Sequence, residues 1–432
     1  MEHILFYEIN AVLTEPLHIG NEGDRNGEVL IHPVTREPFI QASSIAGIMR
    51  NAVESLGEEG NAAYWFGDRN LAASAQNESK ISITDGLFNG RVIMERRPRV
   101  SIDPITGSVS GLAIKGTGNR SGQKFEIDCV GAGNTFTYSL TVKCSGTENT
   151  EVHRLIINAL GMINDGEFQF GGQKSNGFGF IKILEVRYKD FNLKEETDRN
   201  MWLHNEFKLE NIDIPQGDAQ NIAYRIIIKG KTEGELLVKS IAVPGSGADV
   251  PDAANIRNSR NEFIIPGSSF KGSIRNQFTQ IARKIGKEGL IEASFGSMEK
   301  SGSVIFLDTV VGDIEGNDKQ PITHHIHIDK FTGGVISKAL FSEKSIAGEL
   351  ELSVLIKKSA KQIEIFALIM MTLRDLAIGK FNLGSGYASG RGFLDIDTIS
   401  VFSDGREYVF DLKNGISQDA EALINNAVQS LK

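Results

Sequence analysis

The sequence contains itself twice. Five landmarks recur in the same order in the two halves of the 432-residue chain, at a spacing that drifts only between 213 and 229 residues. FIQASSIAGIMRN, from Phe39, matches IIPGSSFKGSIRN, from Ile264, with Ser44 against Ser269 and Arg50 against Arg275. Phe66-Gly67 then matches Phe295-Gly296, and ISITD, ending at Asp85, matches VIFLD, ending at Asp308. SIDPITG from Ser101 matches HIDKFTG from His327, and FGGQKSNGFGFIKI from Phe170 matches LGSGYASGRGFLDI from Leu383. A period this long means one structural unit built twice, and it overrides any reading of the chain as a single domain. A chain of this length also exceeds one ordinary core and suits two domains of roughly 200 residues.

Each half opens with an alternating apolar run, ILFYEINAVL or IAYRIIIKG, which reads as a half-buried strand. A helix follows, with Ile45, Met49, Ala52 and Leu56 on one face in the first copy and Phe270, Ile274, Phe278 and Ile281 in the second. Ser43 and Ser268 are the expected N-caps, because a serine hydroxyl accepts from the free amides of a first turn. Further strands lead to a second helix, with Val152, Ile156 and Ile163 or with Ile365, Ile369, Leu373 and Leu376. A glycine-rich loop and a closing strand (FIKILEV or FLDIDTI) complete each unit. The expected fold class is α+β: two tandem ferredoxin-like, RNA-recognition-like β-α-β-β-α-β domains. The extra length at 86–129 and 311–346 predicts hairpins inserted between the helices. Domains are expected at 1–191 and 222–432, joined by a polar linker at 192–221.

Composition excludes several classes. Forty per cent hydrophobic and 23% charged residues describe a folded soluble chain. No apolar run approaches the ~18 residues a membrane span needs, and the N-terminus lacks a signal core, so a cytoplasmic protein is expected. Two cysteines, Cys129 and Cys144, make neither a disulfide framework nor a zinc cluster, and read as small core residues. A net charge of −9 argues against a generic nucleic-acid binder. Any positive field must therefore be local to particular loops.

The motifs suggest where. A GSS turn at a helix start exposes backbone amides and a positive dipole end, a natural phosphate seat formed by Ser43 and Ser44 or by Ser268 and Ser269. Lys271 and Arg275 lie four apart on the same side of the helix, and Arg50 keeps half of that pair. The glycine loops would let a backbone approach a polynucleotide, with Lys174 and Phe178 or Tyr387 and Arg391 to pair or stack. GSGYASG is not a dinucleotide fingerprint, because a helix precedes it and a strand follows. THHIHIDK would place His325, His327 and Asp329 on one strand face, a possible metal site.

These landmarks resemble those of the RAMP superfamily, the backbone subunits of type III CRISPR effector complexes. IIPGSSFKGSIRN resembles the family's IPGSSxKGxxR motif, HIDKFTGGVISKALFSEKSI its IDRxTGGAxxGALFxxE segment, and GYASGRGF its glycine loop. The first half is degenerate, with Gln41, Ala42 and Ala46 where the family has Pro, Gly and Lys. The resemblance implies a guide-RNA-binding subunit whose partners are guide RNA, target RNA and other effector subunits. It places Ser43, Ser44, Arg50, Lys174, Ser268, Ser269, Lys271, Arg275, Lys330, Tyr387 and Arg391 against RNA.

The same resemblance ties an aspartate ahead of the GSS turn to target cleavage, in a pattern similar to Asp-x-Pro-x-x-Arg. Asp252 fits, with Arg257 five residues on and Ala254 in place of Pro; Asp249, with Pro251, is the other candidate. In the first half Asp24 lies nearest, without the downstream Arg. The carboxylate would hold Mg²⁺ or another divalent cation, or orient the attacking 2′-hydroxyl. Two alternatives remain open. One is a scaffold without nuclease activity. The other is a metal-independent guide-precursor endonuclease using His18 or the histidines at 324, 325 and 327.

Overall fold

A computed structural model of the chain describes residues 2–20, 27–68, 78–100, 111–113, 120–122, 124–216, 221–240, 250–297, 300–312 and 322–432. Asp24 and Asp249 lie outside these residues. The chain divides into two compact units. The first comprises Met1–Arg97, Glu126–Lys174 and Phe178–Gln220; the second comprises Pro98–Phe125, Ser175–Gly177 and Asn221–Lys432.

In the first unit the strand His3–Leu13 lies between two antiparallel neighbours, Ile181–Asn192 and Thr135–Cys144, and Ile81–Ile83 pairs outside the latter. In the second unit Ile222–Thr232 lies between Leu394–Ser403 and Glu349–Lys357, with Val304–Phe306 outside. Numbered by position in the repeat, both sheets run fourth, first, third, second, and both are antiparallel. Alternation along the opening strands sends one face inward: Leu5, Tyr7, Ile9, Ala11 and Leu13 in one, Tyr224, Ile226 and Ile228 in the other.

Two helices cover that face in each unit. Ala42–Ser55 buries Ile45, Ile48, Met49, Ala52 and Val53, and Gly267–Lys284 buries Phe270, Ile274, Phe278 and Ile281. Asn149–Asn164 and Gln362–Ala377 occupy the second helical position. Burying each large apolar side chain contributes about 1.5–3 kcal/mol, enough for four to hold a helix of middling propensity to its sheet. Cys129 and Cys144 are buried thiols, as core residues should be.

The helix starts correct one expectation. Neither Ser43 nor Ser268 is an N-cap; Gln41 and Pro266 hold those positions and make no side-chain cap bond. The caps come instead from the landmark aspartates. Asp85 Oδ1 accepts from the Ala42 amide and Asp308 Oδ1 from the Gly267 amide, both at 2.8 Å. A carboxylate at a helix N-terminus satisfies an orphan donor and complements the dipole. It also fills the anion position that the GSS turn was expected to offer a phosphate. Asp308→Ala is expected to lower stability by about 1 kcal/mol, read as a denaturation midpoint shift at unchanged slope. Asp308→Asn, which keeps an acceptor, should cost less.

The first and second landmarks also meet. Arg50 pairs with Glu54 at 2.9 Å and donates to the Gly67 carbonyl at 2.6 Å, while the Arg275 guanidinium lies 5.8 Å from the Phe295 ring. Arg50 therefore closes its own helix against the Phe-Gly turn rather than facing solvent.

The glycine loops have an intramolecular cause. Gly179 and Gly392 adopt φ of +86° and +77°, and a Cβ on either would fall on the carbonyl of Phe170 or Leu383. The Phe170 amide donates to the Gly179 carbonyl at 2.8 Å, and Leu383 does the same to Gly392 at 2.9 Å. The residues after those turns reach back to the opening of the fold, Gly172 to the His18 carbonyl and Ser385 to that of Leu237. The close backbone approach is to protein.

The segment expected as a linker is folded. Glu196–Leu203 is a helix, and Trp202 and Phe207 gather with Phe6 and Phe191 of the first unit's sheet at centroid distances of 4.8–6.4 Å. The expected inserted hairpins are present: Met94–Val100 and Lys124–Val130 in the first insertion, Thr323–Ile328 and Val335–Lys344 in the second. No described helix is long and apolar enough to cross a membrane.

Candidate RNA-processing site

Asp252 stands where the short strand Ala253–Ala254 joins, in parallel, the base of the second inserted hairpin at Glu343 and Lys344. Its carboxylate is fixed by one residue. Ser342 donates both its backbone amide and its hydroxyl to Asp252 Oδ2, at 2.7 and 2.9 Å, and the Asp252 amide returns a bond to the Ser342 hydroxyl at 3.0 Å. His324 lies directly across the hairpin from Ser342. The Ser342 amide and hydroxyl hold the Asp252 carboxyl below its ordinary range, and the charge of a protonated His324 adds to that. Asp252 is exposed and ionised at neutral pH.

The donor set can be weighed against the divalent cation the resemblance implies. Among the described residues no three His, Cys, Asp or Glu side chains are grouped to cage an ion. A single exposed carboxylate, with both Ser342 bonds on Oδ2, fits a Mg²⁺ held chiefly by water and substrate phosphate. The histidine site is not assembled. Asp329 is taken up by the hairpin tip, accepting from the amides of Phe331 and Thr332 at 3.0 and 2.7 Å and from the Thr332 hydroxyl at 2.9 Å. The His325 and His327 rings lie against Phe341, 5.0 and 5.4 Å between centroids. His325 Nε2 also accepts from Arg391 at 3.1 Å.

The hairpin is apolar where it projects. Ile326, Ile328, Val335 and Leu340 are half exposed or more, and Phe331 at the tip, beside exposed Lys330, is 95% exposed. Ile326 faces Leu340 and Ile328 faces Val335 across the ribbon.

The expected RNA contacts divide sharply. Tyr387, between left-handed Gly386 and Gly390, is 57% exposed, and its ring lies 5.6 Å from that of Phe393. Arg275 is exposed as well. Three others are spent inside the protein. Arg391 is buried, with Nε 2.9 Å from Glu235 and its terminal nitrogens on Glu343 at 2.5 Å and on His325. Lys271 Nζ donates to Ser175 at 2.7 Å inside the second unit; burial first, then Arg275 and Arg99, push its pKa down to about 8. Phe178 is buried and cannot stack on a base. Burial also lowers the pKa of Lys174. Ser43 is exposed, whereas Ser44, Ser268 and Ser269 are half-buried at their helix starts. His18 Nδ1 donates to the Asp128 carbonyl at 2.8 Å, which fixes its tautomer.

Ser342, Glu343 and Lys239 were not anticipated as parts of the site. Glu343 is buried and Lys239 Nζ lies 2.7 Å from it. Ser342 and Glu343 lie in the segment that resembles a family motif, but their partnership with Asp252 is invisible locally, because Ser342 lies 90 residues from it.

Two α+β units with projecting hairpins, each an antiparallel sheet ordered fourth, first, third, second, have the ferredoxin-like arrangement that RNA-recognition domains share. The RAMP superfamily profile matches residues 10–182 and 227–395, one stretch in each half. The chain belongs to that superfamily of CRISPR-associated RNA-binding proteins. Among curated proteins none matches this sequence.

Proposed function

We propose that this chain is a guide-RNA-binding backbone subunit of a type III CRISPR effector complex, and that its second half cleaves the guide-paired target RNA through Asp252. The observation that carries the reading is an exposed, ionised, oriented carboxylate at the base of an apolar projecting hairpin. Apolar side chains wedged between stacked bases unpair or kink a duplex, as they do in other nucleic-acid complexes. A ribbon with Ile326, Ile328 and Phe331 on its surface suits that task. A phosphodiester displaced beside it would come to Asp252. There the carboxylate would accept the proton of the 2′-hydroxyl as its oxygen bonds the phosphorus, the P–O5′ bond breaks, and the 5′-oxygen leaves protonated by water, giving a 2′,3′-cyclic phosphate and a 5′-hydroxyl end. A divalent cation held by Asp252 and the RNA phosphate would neutralise the charge that develops on the phosphoryl oxygens. Sequence is read by base pairing with the guide, and the protein holds backbones.

Tyr387 is an exposed glycine-loop side chain whose ring can stack on a base. Tyr387→Ala is expected to weaken guide binding by about 1–3 kcal/mol, measured by filter binding at fixed salt.

One observation favours a scaffold instead. Arg257, the arginine of the resembling motif, donates to the Asn261 carbonyl at 2.8 Å and lies 3.7 Å over the Phe263 ring, which is a structural role. The test is to give the assembled complex a guide-complementary RNA and a non-complementary one, each with Mg²⁺ or with EDTA. Cleavage confined to the complementary RNA supports the proposal, and binding without cleavage makes the chain a scaffold. Cleavage of a guide precursor in EDTA makes it a processing enzyme.

A further inference from the structure

The hairpin carrying Ser342 enters the domain through a narrow base. The strand bearing Asp252 meets it over only two residues, Ala253 against Glu343 and Ala254 against Lys344. On its other side that short strand bridges to the preceding segment through Lys239 and Asn255. What holds these pieces in register is a charge set centred on buried Glu343 and Arg391. Glu343, next in sequence to Ser342, takes Lys239 Nζ at 2.7 Å from beyond the Asp252 strand and Arg391 at 2.5 Å from the glycine loop. Burial alone would raise the Glu343 carboxyl, but the bonds from Lys239 and Arg391 outweigh it and keep the group below its ordinary range.

Arg391 is the centre of this arrangement. It is buried and spans three partners on three segments: Glu235, Glu343 and His325. A guanidinium only donates, so His325 Nε2 must accept, and both strands of the hairpin are thereby tied to one planar group. Lysine keeps the charge, but its compact ammonium lacks the planar fork that spans these separated partners.

We propose that Arg391 is a positioning residue for Asp252. Acting through Glu343, it fixes the place of Ser342, whose amide and hydroxyl hold the cutting carboxylate. This rests on the cleavage role proposed for Asp252. It assigns the arginine of the glycine loop to the geometry of the cut rather than to contact with RNA.

The test uses the assembled complex at saturating complementary target. Arg391→Met should slow cleavage tenfold or more while target affinity stays within about twofold, and Arg391→Lys should recover part of the rate. Ser342→Ala should slow cleavage too, and adding Arg391→Met to it should cost far less than the product of the single effects, because both act through one contact. If Arg391→Met prevents assembly, Glu343→Gln, which keeps the shape and removes the charge, should show the same slowed rate. Wild-type cleavage by these variants alongside an inert Asp252→Ala would overturn the positioning role and leave Asp252 as the cutting residue. A loss of rate matched by an equal loss of affinity would overturn it as well. Wild-type cleavage by Asp252→Ala would remove both assignments together.

Discussion

Asp252→Ala is expected to lower cleavage of guide-paired RNA by a hundredfold or more with target binding unchanged. The size follows from the role proposed for the side chain: a carboxylate oriented at the reacting hydroxyl would be worth about 10²–10⁴ in rate. Affinity should hold, because Asp252 is exposed and, among the described residues, makes its bonds with Ser342 on the hairpin base. Asp252→Asn separates charge from shape, since it keeps an acceptor for the Ser342 donors while losing the anion. It should be nearly as slow as alanine. The acid side of the pH profile carries a second reading. The Ser342 bonds hold the Asp252 carboxyl below the ordinary carboxylate range, so its contribution is present at neutral pH and lost only as pH falls through that lowered value. Cleavage should therefore show no Asp252-dependent decline between about pH 5 and pH 8. If Asp252→Ala cuts at the wild-type rate, Asp249 and Asp24 become the next residues to replace.

Gly392→Ala is expected to destabilise the second half by about 3 kcal/mol, from a left-handed backbone and a Cβ driven onto the Leu383 carbonyl. For a unit of this size that corresponds to a melting decrease of roughly 6–12 °C. Gly179→Ala should do the same in the first half through the Phe170 carbonyl. The two loops were expected to be glycine-rich so that RNA could approach. Their glycines instead sit against their own protein, which predicts loss of folding before loss of RNA affinity. A variant that melts as wild type but releases guide RNA would contradict this account.

Much of the architecture was legible in the residues. The apolar spacing of Phe270, Ile274, Phe278 and Ile281 announced a helix face, and all four are buried. The repeat gave the number of units, their element order and the inserted hairpins. The segment at 192–221 was harder: its polar composition hid a helix whose Trp202 docks by aromatic contact with residues such as Phe6, far away in sequence. The site was legible only in part. The resemblance pointed to Asp252 as a candidate, but not to Ser342, which holds its carboxylate.

The division has a physical origin. Periodicity is a local property, because a helix or strand exposes the same face every few residues, and a chain can declare it without knowing its neighbours. Charge is different: whether a lysine, arginine or aspartate contacts solvent, nucleic acid or protein depends on which residue the fold brings beside it. Lys271 and Arg391 have the composition of RNA contacts, and Asp308 that of a turn. Packing sends the first to Ser175, the second to Glu235 and Glu343, and the third to the Gly267 amide 41 residues away. A buried polar group must find a partner or lose the free energy of its hydration. The sequence by itself determined that there are two units and where their cores lie; the tertiary structure decided which charges those units keep for themselves and which are left for a ligand.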